Sequence, residues 1–130
     1  MTTQKSVNPL GPGYEGVPGE EKRFRDVFRD TLRAEMIRDE DVFLMGEDIS
    51  GGFDKETKEP LDAWGGPFAA TKGLVQEFGP ERIRDAPISE AGFVGAAVGS
   101  ALTGLRPVVD LMYFDFVTVA FDQLLSNAAK

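Results

Sequence analysis

The run Val42-Phe43-Leu44-Met45 is apolar at every position, stops at Gly46 and passes at once into Glu47-Asp48. A half-exposed strand alternates apolar and polar residues. A strand without alternation suits burial on both faces, the situation of a parallel sheet covered by helices. Parallel strands need crossover connections, usually helical, and the chain supplies them. Arg82-Ile83-Arg84 reads as a second short strand and residues 107–112 as a third. A helical period runs over 21–39, with Phe24, Val27, Phe28, Leu32 and Met36 spaced by three and four. Residues 71–78 form a short helix closed by Gly79-Pro80, and the helix from Glu90 ends at Gly104. Residues 117–129 make an apolar final helix carrying Gln123 and Asn127. This alternation predicts an α/β fold with a parallel sheet. The sheet is expected to be incomplete at its C-terminus.

Residues 1–20, broken by Pro9, Pro12, Pro18 and four glycines, are expected to be a disordered tail. Within them Gly11-Pro12-Gly13-Tyr14-Glu15-Gly16 matches the G-x-G-x-x-G pattern of dinucleotide-binding loops. That loop works only between a strand and the helix whose amides meet the pyrophosphate, and neither is present, so the match is rejected. Residues 21–130 remain as one domain with enough apolar content for a core.

Fourteen basic residues against 22 acidic give a net charge of −8, and no basic run is present, so nucleic acid is not an expected partner. The chain has no cysteine and no histidine. This removes disulfides, thiolate metal sites, cysteine nucleophiles and Ser-His-Asp triads, leaving carboxylates for any proton transfer. No apolar run is long enough for a membrane span, and no signal pattern opens the chain. A soluble, cytoplasmic protein is the expectation.

Two places invite chemistry. Glu47 and Asp48 follow the first strand, at the edge where open parallel sheets meet their ligands; a solvated loop is the plainer reading. Asp85-Ala86-Pro87-Ile88-Ser89-Glu90-Ala91-Gly92 ends an extended segment at a proline and offers Ser89 as a helix cap. Glu90 then stands on the first turn of a helix of small residues. Its plain role would be to complement the helix dipole, worth about 0.3–1 kcal/mol. Gly92, Gly95 and Gly99 weaken that helix by up to about 1 kcal/mol each, which implies close approach of another surface. Long loops within compact domains are commonly functional or disordered, and the one over 49–69 holds the sole tryptophan, Trp64, as an anchor or interface residue. Tyr113, Phe114, Phe116 and Phe121 are expected to be mostly core.

In order along the chain stand Asp39-Glu40-Asp41-Val42-Phe43-Leu44-Met45-Gly46-Glu47-Asp48, Thr71-Lys72-Gly73-Leu74, Phe78-Gly79-Pro80-Glu81-Arg82, Pro87-Ile88-Ser89-Glu90-Ala91-Gly92, Gly104-Leu105-Arg106-Pro107-Val108-Val109 and Phe114-Asp115-Phe116. Phe121-Asp122-Gln123 and Asn127-Ala128-Ala129-Lys130 close the series. Together these blocks resemble the β subunit of the E1 component of 2-oxo acid dehydrogenase complexes, thiamine-diphosphate enzymes of the transketolase-like group. The resemblance implies that residues 21–130 are the N-terminal part of a pyrimidine-binding domain. It implies that Glu90 hydrogen-bonds the ring nitrogen N1′ of the aminopyrimidine, that Phe116 packs on that ring, and that Ile88 is an apolar contact. Glu47 matches an acid that in some members lines a tunnel between two active sites; another tunnel acid is replaced here by Val119. The stretch Asp62-Ala63-Trp64-Gly65-Gly66 resembles the acetoin dehydrogenase branch more than the pyruvate branch.

The family cofactor reacts after its thiazolium carbon loses a proton to its own amino group, which requires N1′ to be protonated or strongly hydrogen-bonded. At the glutamate responsible, the helix N-terminus favours the charged form by at most about 2 kcal/mol, whereas full burial favours the neutral form more strongly. The resemblance implies thiamine diphosphate as cofactor, with Mg²⁺ and the diphosphate held by a G-D-G motif on an E1 α subunit. No G-D-G occurs in this chain. It further implies a heterotetramer of two α and two β subunits, delivering acyl groups to the lipoyl acyltransferase E2. The alternatives are a pyruvate-type E1 β subunit, a transketolase-group enzyme acting on sugar phosphates, and a non-catalytic module that binds the α subunit.

Overall fold

The computed structural model describes residues 21–51, 56–57 and 64–130. The tail expected at 1–20, and residues 52–55 and 58–63 of the loop, lie outside the described residues.

Helix α1 (Phe24–Arg38) leads into strand β1 (Val42–Gly46). Helix α2 (Leu74–Phe78), strand β2 (Ile83–Asp85), helix α3 (Glu90–Leu102) and strand β3 (Arg106–Asp110) follow. The strands form a parallel sheet in the order β2-β1-β3, so β1 is central and the β2–α3–β3 crossover passes it. The α/β expectation is met: the family of crossovers coats both faces. On one face Leu32 and Met36 of α1, Leu74 and Val75 of α2, Ile83, Ile49, Val42 and Leu44 form a buried cluster. On the other, Phe93 and Val94 of α3 and Ala120 pack against Met45, Val109 and Leu111. The period of two along β1 sends Val42 and Leu44 one way and Met45 the other. That is why the run has no polar position.

Arg82 joins these layers. Its guanidinium donates to the carbonyls of Met36 (2.9 Å), Asp39 (2.8 Å) and Val42 (2.6 Å), at the end of α1 and the start of β1. It also stands 5.2 Å from the centre of the Phe78 ring.

Several local expectations are corrected. The apolar stripe of α1 is buried only from Leu32 onward: Phe24 is 86% exposed, and Phe28 is exposed with it. These rings line an open cavity of about 560 Å³ with Pro67, Phe68 and Met112 rather than a core. α2 begins at Leu74 and not at Thr71, because Gly73 takes a left-handed conformation at its N-terminus. Ser89 occupies the position before α3, yet its hydroxyl makes no capping bond. It lies over Gly92, where a β-carbon would come within 2.6 Å of the Ser89 Oγ. The last helix is not uniform. A 3-10 turn (Phe114–Phe116) precedes helix α4 (Val117–Asp122), which widens into a π-helix over Gln123–Ala128. Tyr113, Phe114, Phe116 and Phe121 are not core: all are exposed, Phe114 at 87%, because no described element packs over that side of the final segment.

The small-residue face of α3 divides in two. A β-carbon on Gly95 would stand 3.0 Å from the Gln123 Oε1, so Gly95 serves packing within the chain. Gly99 has nothing within 4 Å of the same construction. No helix among the described residues is long and apolar enough to cross a membrane.

Candidate functional site

Parallel strands place their carboxyl ends on one rim, and all four candidate residues lie just beyond it. Glu47 follows β1, Ile88 and Glu90 follow β2, and Phe116 follows β3. At the rim itself Gly46 is in register with Asp85 on one side and Asp110 on the other. Gly46 must be small, since a β-carbon there would stand 2.8 Å from the Asp110 carbonyl oxygen.

Glu47 stands within range of the Glu90 charge, a pairing that separate reading of the two motifs did not anticipate. Both are half-buried. The Glu47 carboxyl is held above the usual glutamate range, first by burial and then by the negative charges of Glu90 and Asp48. Glu90 reaches this position as the first residue of α3. Asp48 itself is exposed, with a left-handed backbone at φ 53°.

The aromatic side of the rim is a ladder. Phe116 meets Tyr113 edge-on at 5.8 Å between ring centres, and Tyr113 meets Phe68 at 5.3 Å. The turn that carries the ladder leaves β3 through Met112, which has φ 61°, with the Met112 N–H donating to the Asp110 carboxylate at 2.8 Å. Ile88 is 86% exposed, an apolar side chain presented outward beside Glu90. Trp64 is 43% exposed, so burial does not hold it. Beside it Gly65 has φ +79°, and a β-carbon there would collide with the backbone of Lys72.

Three further residues hold the rim. The Ser50 N–H donates to the Asp85 Oδ1 at 2.9 Å and the Ser50 hydroxyl to its Oδ2. The Thr71 hydroxyl donates to the Ile49 carbonyl at 3.1 Å. Ser50 and Thr71 are buried polar side chains. Contacts spanning 35 and 22 residues leave no local pattern, so the sequence offered no signal for them.

The parallel sheet thus carries Glu47, Glu90 and an aromatic ladder beyond its carboxyl rim, and comparison with known proteins assigns the family. Residues 20–130 match the family described as the transketolase, pyrimidine binding domain, and the chain belongs to that family. It is 48% identical over 105 residues to the acetoin:2,6-dichlorophenolindophenol oxidoreductase subunit beta of Bacillus subtilis (strain 168), covering 81% of this chain and 31% of the relative. The protein of the same name from Cupriavidus necator is 46% identical over 101 residues, 78% of this chain and 29% of that one. The pyruvate dehydrogenase E1 component subunit beta of Rickettsia felis is 43% identical over 106 residues, 82% of this chain and 29% of that one. The chain thus spans less than a third of the length of these relatives.

Proposed function

We propose that the chain supplies the pyrimidine half of a thiamine diphosphate site as the N-terminal part of an E1 β subunit. Its domain would run over residues 21–130. The observation that carries this reading is that Glu47, within range of the Glu90 charge, Glu90 itself, and the exposed Ile88 and Phe116 all follow the carboxyl ends of the three strands. The residues fit the aminopyrimidine end of the cofactor. Glu90 offers a carboxyl to the ring nitrogen N1′, Phe116 an aromatic face and Ile88 an apolar surface. When bound, the cofactor supplies a carbon nucleophile for cleaving the bond beside a carbonyl group.

In this reading the other end of the cofactor is held by a partner subunit. Diphosphate and Mg²⁺ need oxygen ligands and a phosphate cradle, and no group of acidic residues among the described ones could hold a metal ion. These duties fall in this reading to an E1 α subunit, in a heterotetramer of two α and two β subunits that passes acyl groups to lipoyl arms of E2. The acetoin branch is preferred as the substrate class, supported by the 48% identity to an acetoin relative against 43% to a pyruvate one. A cytoplasmic location is part of the proposal, supported by the bacterial relatives; the pea relative is by name mitochondrial.

Glu90→Gln in the assembled αβ enzyme tests the assignment. Turnover is expected to fall by orders of magnitude while the subunits still assemble, and near-normal turnover would refute it.

A further inference from the structure

We propose that Asp85 is a positioning residue: through Ser50 it clamps the loop after β1 and so fixes Glu47 within range of the Glu90 charge. The proposal rests on the reading of that acid pair as part of the cofactor half-site.

The segment from Gly46 to Ser50 is tied at both ends. At the strand end, the Ala86 N–H donates to the Gly46 carbonyl at 2.8 Å, joining the residue after β2 to the end of β1. At the far end, both carboxylate oxygens of Asp85 accept from Ser50, one from its N–H and one from its hydroxyl. The adjoining Ile49 carbonyl is held by Thr71, and the Ile49 side chain is buried in the core beneath. Between these ties Asp48 is bent into the left-handed region, and Glu47 is the residue next to it. Such a conformation costs free energy in a non-glycine residue and persists only where its surroundings over-determine it. Releasing the Asp85 tie therefore lets Asp48 relax, and Glu47 turns with it away from Glu90 towards water.

The burial and like charge that act on Glu47 report this placement. The charged groups acting on it are Glu90 from α3 and its neighbour Asp48. Asp85 acts through geometry, so its charge and its shape can be separated. Asparagine at this position keeps an acceptor for the Ser50 N–H and an amide for the hydroxyl, but carries no charge.

The experiment follows the titration of Glu47 in the intact chain, by carboxyl carbon NMR with labelled glutamate. Asp85→Ala is expected to lower the Glu47 midpoint towards the ordinary glutamate value, and Asp85→Asn to hold it near the parent's. Ser50→Ala, which keeps the backbone arm, is expected to lower it by less. The proposal is overturned by a folded Asp85→Ala chain whose Glu47 titrates as in the parent, or by Asp85→Asn falling as far as alanine. Where Asp85→Ala does not fold, Ser50→Ala decides, and an unmoved Glu47 midpoint then overturns it. The readout needs no cofactor, so failure of the clamp is distinct from failure of the cofactor assignment, which the Glu90→Gln turnover tests.

Discussion

Replacing Arg82 by methionine keeps the stem of the side chain and removes its donors. The Arg82 guanidinium makes two bonds to the Val42 carbonyl, at 3.0 and 2.6 Å, and one each to Met36 and Asp39. The carbonyls of Met36 and Asp39 lie at the C-terminal end of α1, where backbone acceptors lack partners within the helix. Hydrogen bonds to charged groups contribute about 1.5–3 kcal/mol each. These are only part-buried, so water replaces some of what is lost, and about 1 kcal/mol per carbonyl is the appropriate scale. Arg82→Met should then cost about 3 kcal/mol, a large fraction of the ~5–15 kcal/mol that holds a domain together. With a urea dependence near 1.5 kcal/mol per molar, the unfolding midpoint should fall by about 2 M. Circular dichroism of the helices during urea unfolding measures it. Arg82→Lys, a point donor without the fork, should recover part of the loss. A midpoint within about 0.5 M of the parent for Arg82→Met would refute the idea that this guanidinium joins α1 to β1.

Glu47→Gln should stabilise the chain at neutral pH and leave it unchanged in acid. A carboxyl raised by folding binds its proton more tightly folded than unfolded, so its penalty is absent below the unfolded value and complete above the folded one; urea midpoints across pH check this, and no gain at neutral pH would contradict it. Gly99→Ala meets nothing within 4 Å and should stabilise the isolated chain by up to about 1 kcal/mol, as a helix interior gains from alanine. The same change should impair assembly with an α subunit if a partner packs on that face, which co-purification measures. Phe116→Ala in the assembled enzyme should chiefly weaken thiamine diphosphate binding, read as a higher cofactor requirement for activity; an unchanged requirement would leave Phe116 as a partner of Tyr113 alone.

The strand, the helices around it and the candidate residues at the sheet's edge were legible because their signals are local. An unbroken apolar run, the 3.6-residue period and the Gly-Pro stop are each written within a few neighbouring positions. So the unaided sequence determined the α/β class, the parallel sheet, the element order and the placing of Glu47 and Glu90 beyond strand ends, whereas Ile88 and Phe116 entered through the family resemblance, Phe116 having read as core. Only the tertiary structure decided which of these meet. The Glu90 charge reaches Glu47 because β1 lies beside β2, so the ends of the two strands share one rim. Burial likewise depends on neighbours distant in sequence: Leu32 is covered by the core, whereas Phe24 on the same stripe borders an open cavity. The exposed aromatics after β3 follow the same rule, since apolar character in a segment says that it is suited to burial and not that anything lies over it. The clamp of Asp85 on Ser50 belongs entirely to the fold, for a hydrogen bond across 35 residues exists only once the chain has brought its ends together.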